Sequence, residues 1–86
     1  MIQEESLWLC VLVQQFEDLA SSNETIRRQA AAWFEASIGT SVADFEQVVE
    51  WAGYHPDIIR KVYVEFKNNE DRKEAFKAVR KAMLNE

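Results

Sequence analysis

At 86 residues the chain has room for one domain, spanning 1–86, because single cores commonly serve about 50 to 200 residues. With 48% hydrophobic and 29% charged residues, it has the apolar content to offset the entropy of ordering, which excludes a disordered or low-complexity chain. A net charge of −5 at pH 7 repels nucleic acid unless the basic residues gather on one surface. The single cysteine excludes an intramolecular disulfide framework and a cysteine-only metal site, and makes the cytoplasm the default compartment.

Two glycines and one proline are too few turn signals for a β-sandwich or small barrel, which needs one about every 8 to 12 residues. Helices are therefore expected. The run Leu7 to Val13 (LWLCVLV) is apolar, but Glu4 and Glu5 stand where a signal peptide needs bases, and the run is far short of the ~20 residues that cross a membrane. No signal peptide and no membrane contact are expected.

A first helix is expected over about Ser6 to Ala20, where Leu9, Leu12, Val13, Phe16, Leu19 and Ala20 recur at helical spacing. Trp8 and Cys10 widen that stripe, which points to a central helix or one covered by a partner, with homodimerisation as the expected outcome. Asn23 caps a second helix running to about Ser37, with Ile26, Ala30, Trp33 and Phe34 inward and Gly39 as its stop. Ser41 and Asp44 have capping-box spacing for a third helix over about Val42 to Ala52, which buries Phe45, Val48, Val49 and Ala52 and ends at Gly53.

Pro56 suits the first turn of a fourth helix and Asp57 suits its positive end. Ile58, Ile59, Val62, Tyr63 and Phe66 then lie on one side until about Lys67. Asn68 with Asp71 caps a last helix, roughly Glu70 to Leu84, which buries Ala75, Phe76, Val79, Ala82 and Met83. The fold class is all-α: a compact bundle of about five short helices.

Charge is uneven along this bundle. Residues 1–50 carry nine acids against Arg27 and Arg28, whereas residues 51–86 carry eight bases against six acids, so a polyanion would meet the back half. Convergence of those bases with Arg27 and Arg28 on the fourth helix would favour DNA.

Nothing in the sequence points to catalysis. His55 is the only histidine, and Cys10 lies in the most apolar stretch, where a thiol is a small hydrophobe and not a nucleophile. Glycine-rich phosphate loops, nucleophile elbows and His-Glu-x-x-His runs are missing from the sequence. No enzyme, cofactor or metal is expected, and His55 reads as a turn residue or helix cap. Trp33 and Trp51 read as core.

The segment Phe45 to Val64, FEQVVEWAGYHPDIIRKVYV, resembles a helix-turn-helix, the DNA-binding element of two steeply packed helices joined by a turn that often opens with glycine. With Gly53 as that glycine, the motif's buried sites fall on Val48, Ala52, Tyr54, Ile59 and Val62, all apolar. Val49 departs from the motif, which places a small residue where the second helix crosses. The resemblance implies that His55, Asp57, Arg60, Lys61 and Val64 face a major groove, with Arg60 on a guanine edge and Lys61 on a phosphate. The basic positions Lys67, Lys73, Lys77, Arg80 and Lys81 would extend that surface. Glu46 and Glu50 on the preceding helix, and Glu65 on the reading helix, oppose it.

Over residues 7–60, the Leu-Trp-rich first helix, RRQAAAWF and F-x-x-V-x-x-WAG-x-x-P-D-x-I-R resemble small hypothetical proteins of phages and prophages. Two functions are expected, the first as the leading reading and the second as its alternative. One is a small regulator that binds duplex DNA as a dimer; the other is a non-enzymatic helical protein-interaction module, such as an inhibitor or adaptor acting on a host protein.

Overall fold

The computed structural model describes residues 4–35 and 39–84. Five helices and no strand occur among the described residues: α1 Glu4–Leu19, α2 Glu24–Glu35, α3 Gly39–Trp51, α4 Pro56–Asn68 and α5 Arg72–Leu84. This is an all-α bundle, and no helix among these residues is long and apolar enough to cross a membrane.

Local chemistry sets most of the boundaries. Asn23 Oδ1 accepts the backbone N–H groups of Thr25 and Ile26 at 2.9 and 3.2 Å, which satisfies two of the donors that a helix start leaves without partners. Pro56 stands in the first turn of α4, and His55 is that helix's N-cap, its Nδ1 accepting from Asp57 N–H at 3.1 Å. Asp71 caps α5 by accepting from Glu74 N–H at 3.1 Å. That cap moves the start of α5 from the expected Glu70 to Arg72, and the residue behind it is Asn69, whose Oδ1 holds Asp71 N–H at 2.8 Å, not Asn68.

One glycine behaves as expected and the other does not. Gly53 adopts a positive φ of 94°. Tyr54 N–H donates to Val49 C=O, and Gly53 N–H donates to Glu50 C=O, both at 3.0 Å. This pair of bonds is the Schellman closure that a left-handed residue permits. Gly39, expected to stop the second helix, is instead the first residue of α3. Ser41 therefore lies within that helix and is not its cap. The expected second-helix end near Ser37 lies outside the described residues.

The core draws on every helix. Leu12, Phe16 and Leu19 of α1 meet Ala30 and Phe34 of α2, Phe45, Val49 and Ala52 of α3, Ile59, Tyr63 and Phe66 of α4, and Ala75 of α5. Helix α1 packs against α2, α3 and α5, and Phe16 also reaches Phe66 of α4, ring centroids 5.6 Å apart. Of the residues that broaden the stripe on α1, Trp8 packs within the chain, 4.7 Å from Trp51, whereas Cys10 is exposed.

Several inward assignments are corrected. Ile26, Ile58 and Trp51 are 39%, 55% and 45% exposed, and Cys10 and Ala82 are exposed. Each helix is short, so neighbours cover only its central line and apolar residues at the flanks of the stripe face water.

Candidate interaction surfaces

Five apolar residues line the inner side of the α3–α4 hairpin. Val48, Ala52 and Ile59 are buried, while Tyr54 and Val62 are half-buried and packed on the core. Val49 is fully buried.

The outward face of the hairpin has a different character. Arg60, the expected base reader, is drawn inward: its guanidinium carbon lies 5.0 Å from the Phe45 ring centroid, and its nitrogens lie 3.9 Å from Glu46 and 3.5 Å from Asp57. A cation over an aromatic face between two carboxylates is already well solvated by the protein. His55 and Asp57 are exposed but engaged with each other at the start of α4. Lys61 is exposed.

Along α3 and α4 the acids Asp44, Glu46, Glu50, Asp57 and Glu65 stand against Arg60, Lys61 and Lys67, and the apolar side chains of Trp51, Ile58 and Val64 are each about half exposed. The remaining expected contacts separate from Arg60 and Lys61. Lys67 pairs with Glu35 of α2 at 3.9 Å, and Lys73, Lys77, Arg80 and Lys81 are exposed on α5.

A second surface lies where α1, α2 and α4 meet. A cavity of about 200 Å³ is lined by Leu19, Ala31, Tyr63 and Phe66, with Arg27, Arg28, Glu35, Lys67 and Arg72 around them. An open groove lined by Ser21, Ser22, Asn69, Asp71 and Lys73, among others, adjoins it through Arg27 and Arg72. Arg27 and Arg28 do converge with bases from the back half, but with Lys67 and Arg72, not with Arg60 and Lys61. The signal was present in the sequence as the two isolated bases of an acidic front half; their partners emerge only when α2 lies beside the end of α4.

Tyr63 forms one wall of the cavity. Its hydroxyl donates to Glu35, and its ring stacks on Phe34 with centroids 5.0 Å apart and planes 5° from parallel. Burial first, then the hydrogen bond to Glu35 and the charge of Glu35, raise the phenol well above its ordinary pKa of 10.0. The fold therefore favours the neutral phenol. That stabilisation is complete below about pH 10 and is lost as pH rises further, because the unfolded chain ionises first, at a slope of about 1.4 kcal/mol per pH unit. Urea melts of the wild type and of Tyr63→Phe should show a stability gap that shrinks above about pH 10; a constant gap would mean that the hydroxyl is not held against Glu35.

No group of three or more His, Cys, Asp or Glu side chains is placed to hold a metal ion among the described residues. No family model, curated protein or solved structure matches the chain.

Proposed function

We propose that the chain is a non-enzymatic helical protein-interaction module, an inhibitor or adaptor type of domain, working in the cytoplasm, where the exposed Cys10 thiol stays reduced. The observation that carries this reading is the surface of α3 and α4, whose five acids (Asp44, Glu46, Glu50, Asp57, Glu65) outnumber three bases (Arg60, Lys61, Lys67) and which leaves Trp51, Ile58 and Val64 about half exposed. Phosphate contacts supply most of the affinity for DNA and require a surplus of cations, whereas apolar anchors within mixed charge are the usual make-up of a protein contact.

The rival reading, a regulator that binds duplex DNA through the same hairpin, is favoured by the Gly53 turn and by the apolar filling of all five motif positions. Salt separates the two. Fluorescence anisotropy with random and genomic duplexes at about 50 and 200 mM salt should show at most weak, non-specific association, in the range of about 10⁻⁴ to 10⁻⁶ M. Arg60→Ala should leave it unchanged. Tight binding that collapses with salt, together with a loss of roughly 5- to 150-fold in Arg60→Ala on one duplex sequence, would overturn the proposal in favour of DNA.

A further inference from the structure

We infer that the cavity between α1, α2 and α4 binds an acidic segment of a partner protein, one large apolar side chain entering the cavity while neighbouring carboxylates meet the arginines and lysine around it. The inference rests on the protein-interaction reading and adds a site that the α3–α4 face does not contain.

Size argues first. At about 200 Å³ the cavity is below the roughly 300 Å³ at which small-molecule sites begin, but suits a single leucine or phenylalanine side chain. Its floor of Leu19, Ala31 and Phe66 would gain from such an anchor. The adjoining groove shares Arg27 and Arg72 with the cavity, so a ligand longer than one side chain has a path onward. A peptide has that shape.

Charge argues next. In a chain of net charge −5, four cations gather around this one opening. The lone carboxylate among them, Glu35, is engaged by the Tyr63 hydroxyl and by Lys67. Arg27 donates one N–H to Ser21 C=O at 3.0 Å, which orients a guanidinium that has further donors to offer. Arg28 is paired with Glu24 at 2.7 Å, and Glu70 and Asp71 line the adjoining groove beside Arg27, Arg72 and Lys73, so a short acidic segment meets its cations at the cavity itself, where Arg27, Lys67 and Arg72 lie. A duplex carries about one charge per 1.7 Å, would bring its charges against the acid-rich remainder, and has nothing to place in an apolar cavity.

The test uses the full chain, followed by amide chemical shifts, and three blocked synthetic peptides: Asp-Glu-Phe-Asp-Glu, the same with alanine for phenylalanine, and the same with lysines for the acids. The first peptide should shift the amides of Ala31, Lys67 and Arg72. Alanine for phenylalanine should weaken binding roughly tenfold or more, the loss expected for one buried aromatic side chain, and the lysine peptide should not bind. Arg72→Gln should weaken the first peptide several-fold. Ala31→Leu, which fills the cavity, should remove the preference for phenylalanine over alanine while circular dichroism stays helical. Equal binding of the phenylalanine and alanine peptides would overturn the inference, as would shifts confined to Trp51, Ile58 and Val64; the second result leaves the interaction reading standing. A duplex that shifts the same amides more strongly than the peptide, with steep salt dependence, would overturn both.

Discussion

Phe34→Ala should destabilise the protein by about 3 to 5 kcal/mol, the range for removing a phenylalanine from a packed core, and lower the melting temperature by roughly 15 to 35 °C for a domain of this size. Phe34 is 2% exposed and is the ring on which four other aromatics converge. Phe16 lies 4.6 Å away, Trp33 and Tyr63 5.0 Å, and Phe45 6.0 Å. Truncation removes contacts to α1, α3 and α4 at once and leaves a cavity that short helices close poorly. Since total stability for such a chain is about 4 to 13 kcal/mol, the variant should approach marginal folding at 37 °C. Ile26→Ala is the control, because that side chain is already exposed and should change stability by less than about 1 kcal/mol. Calorimetry that finds the two variants alike would contradict the packing described for Phe34.

Gly53→Val should be the most damaging exposed substitution, costing about 2 kcal/mol. The residue has φ of 94°, where a Cβ meets the following carbonyl at a cost of about 1 to 2 kcal/mol, most for a β-branched side chain. The same change weakens the two bonds that close α3, from Tyr54 to Val49 and from Gly53 to Glu50. Asparagine tolerates the left-handed region, so Gly53→Asn should cost least, alanine an intermediate amount and valine most. Chemical denaturation of the three variants gives that order directly. If valine costs no more than asparagine, the turn does not require the left-handed conformation.

The elements that could be read from the sequence are those whose cause lies within a few residues. Asn23 before a periodic run, Pro56 behind His55, and Gly53 behind Ala52 each fix a helix end through a bond that spans at most five residues, and these boundaries agree with the structure. Gly39 misled because a glycine after apolar periodicity has the same appearance whether it stops one helix or opens the next. Periodicity identified a stripe but not its width, so Phe45 and Ile59 are buried while Ile58, beside the latter, faces water.

The interaction surfaces were legible only in part. The composition of the α3–α4 face follows from spacing along two adjacent helices. What Arg60 does there depends on Phe45 and Glu46 across the hairpin, and the cavity depends on Arg27, Lys67 and Arg72 from three helices that no local pattern relates.

The packing of α1 on α2, α3 and α5 also has a kinetic side. Synthesis runs at about 5 to 20 residues per second, so α1 is made seconds before α5, and throughout that interval Leu12, Phe16 and Leu19 lack part of the shelter they have in the finished fold. Nascent α1 is thus an amphipathic segment waiting for its cover, and its fate in the cell depends on how quickly the rest of the chain arrives.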